Sequence, residues 1–216
     1  MRSGSEFPVI RVSSTVDMKT AIILVGGEAK RAQGREKYFF VHDGKTFIER
    51  LLETLSPAVD EIILVARDPG QCERFSQFSD VICVHDIRKG LGPIGGIHAG
   101  VLAAKGDLLF ISGCDMPLVN RDIVISLFSL LEGYDAAIPA WDSEKLEPLH
   151  AVYRKAALLQ YLGSHKSLSL RDMIRSLNAR YVGMENLRKY DPNLTTFINI
   201  NKLEDLHSIN GDNPGT

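Results

Sequence analysis

Short, fully apolar runs alternate along this chain with amphipathic or small-residue stretches of helical spacing, and that alternation restricts the fold more than any other feature. AIILVG (21–26), EIILVA (61–66), VICV (81–84) and DLLFISG (107–113) are rich in Ile, Leu and Val. A strand that is apolar at successive positions is buried on both faces, as in a parallel sheet covered by helices. Between them, KTFIERLLETLSP (45–57) places Phe47, Ile48, Leu51, Leu52 and Leu55 on one stripe and stops at Pro57. GQCERFSQF (70–78) reads as a short helix, GGIHAGVLAAK (95–105) as a small-residue helix, and NRDIVISLFSLLEG (120–133) as a helix capped by Asn120. DAAIPA (135–140) is strand-like. Beyond it LEPLHAVYR, ARYVGM and TFINI read as strands, and KAALLQYL, SLRDMIRSL and KLEDLHSI as helices. The alternation predicts a three-layer α/β domain with a mostly parallel sheet.

The 216 residues suit one domain, expected over 18–209. Residues 1–17 contain SGSEF, which reads as a linker or tag, and 210–216 as a frayed, turn-rich tail. A net charge of −2 gives no reason to expect nucleic acid or a membrane surface as partner. No apolar run approaches the roughly 20 residues of a spanning helix. Cys72, Cys83 and Cys114 form no CxxC and no zinc spacing, so reduced thiols in a cytoplasmic protein are expected.

In open α/β sheets, ligands bind beyond the carboxyl ends of the strands. The first strand runs into LVGGEAKRAQGREK, a glycine-bearing loop with Lys30, Arg31, Arg35 and Lys37. Consecutive N–H groups in such a loop form an anion-binding concavity, and Arg31 and Lys37 add full charge where phosphates would sit. Asp115, in LLFISGCDMPLV, leaves the fourth strand on the same side. A carboxylate there suits Mg²⁺, which is usually held by one or two carboxylates together with substrate phosphates. Two other motifs carry less. GKT (44–46) lacks the upstream glycine of a P-loop, Phe39 standing in its place, and reads as a turn opening a helix. GLGPIG (90–95) matches GxGxxG, but Ile87, Arg88 and Lys89 separate it from the strand and Pro93 interrupts it, which weakens an NAD-binding reading.

These pieces together resemble the molybdenum cofactor guanylyltransferases of the MobA type, a Rossmann-like nucleotidyltransferase family. LVGGEAKRAQGREK is similar to its L-A-G-G-x-x-x-R-M-G-G-x-D-K signature, and DIRKGLGPIGGIHAG to its Asp followed by G-P-L-x-G. CDMPLV resembles its C-D-x-P segment, EPLHAVYRK its x-P-x-x-A strand, and FININKLEDL its closing x-N-x-N segment. The landmarks keep the family order from Leu24 to Leu206. Val25, Ala32, Gln33, Glu36 and Lys202–Leu203 depart from the pattern, whereas Gly26, Gly27, Arg31, Gly34 and Lys37 keep it.

The resemblance implies Mg²⁺-dependent transfer of GMP from GTP to the phosphate of molybdopterin, with release of pyrophosphate. It implies Asp115 as the metal ligand, Lys37 on the nucleotide phosphates and Arg31 on the leaving pyrophosphate. Leu24, Val25, Gly26, Asp86 and Gly92 would hold the nucleoside, Gly27 would also bind the nucleotide, and Arg67 would lie near the base or on the surface. Asn199 and Asn201, two residues apart on an expected strand, would share a face on the acceptor or metal side. Cofactor-delivery or molybdoenzyme chaperone partners are compatible with this function. The same machinery with CTP, a sugar phosphate or another acceptor is an alternative, and so is a non-catalytic GTP-binding adaptor. His150 receives no role, Cys114 reads as a buried small hydrophobe, and Trp141 as a pocket edge, an interface or a core residue.

Overall fold

The computed structural model describes residues 17–26, 36–86, 92–164, 167–200 and 205, with the backbone alone of Lys37. The chain order is β1 (Lys19–Leu24), β2 (Val41–His42), β3 (Lys45–Thr46), α1 (Phe47–Leu55), β4 (Glu61–Ala66), α2 (Pro69–Glu73), β5 (Ile82–His85) and α3 (Gly92–Ala103). There follow β6 (Leu108–Gly113), α4 (Arg121–Leu130), β7 (Ala136–Ala140), β8 (His150–Arg154), α5 (Lys155–Ser164), α6 (Leu170–Arg175), β9 (Ala179–Gly183) and α7 (Met184–Leu187). Seven strands form one sheet in the order β5-β4-β1-β6-β8-β7-β9. Only β8 runs against its neighbours β6 and β7, so six of the seven strands point the same way, as the apolar runs predict.

Residues of β1 divide between two cores by simple alternation. Ala21 and Ile23 pack with α1, α4 and α7 on one face. Ile22 packs with α3, α5 and α6 on the other. Side chains two apart share a face, so a strand apolar at every position fills both. Gly100 lets α3 press onto the sheet: a Cβ there would stand 2.5 Å from Ile22 Cγ2.

Local signals behave as their chemistry requires. Thr46 caps α1 and exchanges hydrogen bonds with Glu49 in a capping box. Asp43 and Gly44, both at positive φ, make the two-residue turn joining β2 to β3, so GKT is a hairpin end opening a helix. Asn120 caps α4 through the N–H groups of Asp122 and Ile123.

Two expectations are corrected. Cys72 and Cys83 are joined in a disulfide, with Cα atoms 5.6 Å apart, rather than standing as separate thiols. They are eleven residues apart in the chain, and only the packing of α2 beside β5 makes them neighbours. The segment TFINI is not a strand: Leu194 takes a left-handed conformation, Thr195–Phe197 form a 3-10 turn, and Ile198–Ile200 continue without sheet pairing. Burial of Thr196, Phe197 and Ile200 against neighbouring segments outweighs the strand propensity of the run. No helix among the described residues is long and apolar enough to cross a membrane.

Candidate active site

The chain order β1, β4, β5 builds outward on one side of β1, and β6 then returns to its other side. That reversal opens a crevice at the carboxyl ends of β1 and β6, where open α/β sheets bind ligands. Leu24 is paired in register with Gly113, and the Cys114 N–H donates to Leu24 C=O at 3.2 Å. The turn leaving β1 and Asp115 therefore emerge side by side. Asp86 joins the same rim, its N–H bonded to Ala66 C=O at the end of β4. Across the rim the order is Asp86, Arg67, Gly26, Asp115 and then Trp141, following β5, β4, β1, β6 and β7.

Gly26 is required by close approach. A Cβ there would lie 3.0 Å from the Arg67 backbone nitrogen, which cannot yield without moving the end of β4. Gly113 has a different neighbour: its Cβ would fall 2.5 Å from Asp115 Oδ1. The absence of a side chain at 113 thus gives the Asp115 carboxylate its place. Asp115 is half-buried, and no hydrogen bond or ion pair to its carboxylate is found among the described residues. Ile200 N–H donates to Asp115 C=O at 2.7 Å, so the segment carrying Asn199 is laid against the same turn. Asn199 is exposed there. Because the segment is not a strand, the shared face expected for Asn199 and Asn201 has no basis, and Asn201 lies outside the described residues.

Gly27, Arg31 and the Lys37 side chain also lie outside them. What is defined is how both ends of their loop are anchored, and sequence reasoning missed the residues that do it. Gln71, in α2, is 1% exposed. Its Nε2 donates to Val25 C=O at 3.2 Å and to Tyr38 Oη at 3.1 Å, and lies 3.4 Å from Glu36 Oε1. Its Oε1 accepts from Arg67 N–H at 2.6 Å. Glu36 accepts in addition from Tyr38 Oη and pairs with Arg74, while Arg67 Nη2 stands at 3.6 Å. Burial, with the Glu36 carboxylate beside it, pushes the Tyr38 hydroxyl up to about 12. One amide thus ties Val25, where the loop leaves, to Glu36 and Tyr38, where it returns. Glu36 is a departure from the family pattern that is put to structural use. No signal in the sequence marks a glutamine after Asp68-Pro69-Gly70 as buried.

On the other flank, Glu147 precedes β8. Burial raises its carboxyl above the usual range despite hydrogen bonding from Trp141 and the nearby Lys145 charge, and the Asp115 carboxylate adds to the rise. The two acids therefore share one electrostatic neighbourhood. His150, on β8 opposite Ser112, is fully buried between Phe110 and Phe197. Desolvation lowers its pKa to about 3, outweighing the nearby Asp191 carboxylate. Thr196 Oγ1 accepts from Asn120 N–H at 3.0 Å and lies 3.2 Å from His150 Nε2. The tautomer of the imidazole sets which of the two donates across this contact. His150 is a neutral core residue that seats the 194–200 segment. Cys114 is buried, as expected of a small hydrophobe.

Gly92 begins α3 at φ +59° and is exposed, whereas Gly95 and Gly96 are buried. A Cβ at Gly96 would meet Leu24 and Val65, so Gly96 serves helix packing.

As to metal fit, no group of three His, Cys, Asp or Glu side chains is gathered among the described residues. Asp115 offers a hard oxygen donor at the mouth of the crevice. A site with one protein carboxylate, completed by phosphate oxygens and water, suits Mg²⁺.

A family model for the MobA-like NTP transferase domain matches residues 21–181. A protein of Methanosarcina mazei named probable molybdenum cofactor guanylyltransferase is 38% identical over 204 residues, covering 89% of this chain and 90% of its own length. The molybdenum cofactor guanylyltransferase of Desulfosudis oleivorans is 30% identical over 194 residues, covering 88% and 94%. Among solved structures, molybdopterin-guanine dinucleotide biosynthesis protein A from Archaeoglobus fulgidus superposes with a TM-score of 0.73 at 34% identity, covering 88% of this chain and 96% of its own.

Proposed function

The chain belongs to the MobA-like NTP transferase family, and from that membership we propose that it transfers GMP from GTP to the terminal phosphate of molybdopterin, releasing pyrophosphate. The observation that carries the reading is the adjacency of the β1 turn and Asp115, through the Cys114 to Leu24 hydrogen bond. Transfer requires an anionic acceptor phosphate to approach the anionic α-phosphorus of the nucleotide. Catalysis of such a step rests on positioning and charge neutralisation rather than on covalent help from the protein.

The residues divide the work by their place on the rim. Leu24, Val25 and Gly26 present backbone to the nucleoside, and Asp86 accepts hydrogen bonds from base or ribose. Gly27, Arg31 and Lys37 surround the phosphates with N–H groups and positive charge, Arg31 on the departing pyrophosphate and Lys37 on the nucleotide. Gly92 allows the chain to pass the base closely. Asp115 would hold Mg²⁺, which when bound neutralises phosphate charge. Asn199, exposed on the segment laid against the Asp115 turn, serves the acceptor or metal side, and the same role is assigned to Asn201 from the family resemblance alone. The protein acts in the cytoplasm, with a cofactor-delivery or molybdoenzyme chaperone partner supplying or receiving the cofactor.

The test is pyrophosphate release with molybdopterin as acceptor and GTP, CTP, UTP or ATP as donor. GTP should be preferred, and Asp115→Ala should lower kcat by about 10²–10³-fold, as loss of a charge-stabilising group does. Cys114→Ala should keep most of the turnover. Near-normal turnover of Asp115→Ala in Mg²⁺ would remove Asp115 from the mechanism. Tight GTP binding without turnover would favour an adaptor.

A further inference from the structure

The flank of the crevice beyond Asp115 carries a built aromatic surface that none of the roles above uses. Trp141 follows directly on β7, at the same carboxyl edge of the sheet as Asp115, and is 38% exposed. Strands β6, β8 and β7 are adjacent, so two strand spacings, about 10 Å, separate the end of β6 from that of β7.

Trp141 is held, although it is exposed. Its N–H donates to Lys145 C=O at 2.9 Å, closing a short turn. Asp142 Oδ1 accepts from the N–H groups of Glu144 and Lys145 inside that turn, both at 2.8 Å. The indole Nε1–H donates to Glu147 Oε1 at 2.7 Å. Its ring meets Phe197 edge to face at 6.0 Å, and Phe197 in turn packs on His150. Lys145 Nζ lies 4.6 Å from the ring centroid, a solvent-exposed cover that a flat ring can displace. An exposed side chain with a turn, a carboxylate and a phenyl ring all fixing its plane is preorganised for stacking. Glu147 Oε2 meets no hydrogen-bond donor among the described residues, so it is available to the N–H edge of a heterocycle lying on the indole.

The phosphate being attacked belongs at Asp115 and the nucleoside on the opposite flank, over β1, β4 and β5. A flat ring on Trp141 therefore belongs to the acceptor. We infer that Trp141 is the stacking platform for the planar, N–H-bearing heterocycle of the phosphorylated acceptor, with Glu147 fixing the ring's edge. The inference rests on the guanylyltransferase reading for the acceptor's identity and assigns the half of the site opposite the nucleotide.

Trp141 is the only tryptophan in the chain, so its fluorescence reports contact directly. Anaerobically prepared molybdopterin should quench it saturably, corrected against free N-acetyltryptophanamide, whereas GTP with Mg²⁺ should not. Trp141→Ala should raise KM for molybdopterin roughly 5- to 150-fold, the range of one aromatic stack, while KM for GTP stays within about twofold. Trp141→Phe should recover much of the loss, and Glu147→Gln should fall between. Thermal midpoints of the variants check folding. Quenching by GTP alone would place the nucleotide on this flank and overturn the assignment. So would an unchanged molybdopterin KM in Trp141→Ala while GMP transfer proceeds; the guanylyltransferase reading would then survive. Absence of GMP transfer in the unaltered protein would instead defeat that reading, and the quenching arm would still decide whether a pterin ring stacks on Trp141.

Discussion

Replacing Gln71 with leucine tests whether the basic loop works as a span fixed at both ends. Leucine keeps most of the volume, so the cavity term stays small. What is lost is polar: Arg67 N–H loses its acceptor and Val25 C=O loses its donor. Tyr38 Oη still has Glu36 as a partner. A buried backbone group left unpaired costs about 1–3 kcal/mol. For the two together, with some access of water to Arg67 N–H, the cost is about 2–4 kcal/mol. In a domain of this size that corresponds to a fall in Tm of roughly 4–16 °C. The loop would then be tethered at Val25 by strand pairing alone, so KM for GTP should rise by a larger factor than kcat falls. Differential scanning calorimetry and pyrophosphate release against GTP concentration measure the two effects. A Tm within about 2 °C of the unaltered protein, below the shift that even the smaller estimate requires, would show that the amide is not the clamp. An unchanged KM would show that the loop does not depend on it.

Gly113→Ala should fold with a small change in Tm, because the atom displaced is the end of a side chain, yet turning Asp115 Oδ1 away from its 2.5 Å clash should lower turnover by up to about 100-fold. Unchanged turnover would mean that the orientation of Asp115 is immaterial. His150 gives a signed pH dependence: the unfolded chain takes up its proton near pH 6.5, whereas the folded chain resists down to about 3. Between those values the unfolded state binds more protons, so stability falls as pH is lowered, by up to about 1.4 kcal/mol per unit. Urea unfolding between pH 7 and 5 should show this slope, and His150→Gln should flatten it. An equal slope in both proteins would remove His150 as its source.

The layers of this fold were readable because each depends on local pattern. AIILVG and DLLFISG are apolar at every position, and only burial on both faces satisfies that. Asn120 and Pro57 mark helix ends by the chemistry of one residue. The succession of a glycine turn, a basic loop and an acid after a later strand identified the crevice, since parallel strands deliver their carboxyl ends to one edge whatever the details of packing. Tertiary structure decided what depends on distant partners. Cys72 and Cys83 pair because α2 lies beside β5, a proximity that counting cysteines cannot detect. TFINI has the composition of a strand, but Phe197 finds His150 and Trp141, and Ile200 finds Asp115, so burial outweighs propensity. Gln71, Glu36 and Glu147 look like surface residues in the linear chain. Their partners lie 46, 38 and 6 residues away in Val25, Arg74 and Trp141, and a polar side chain acquires its role only where folding brings such partners within hydrogen-bonding distance.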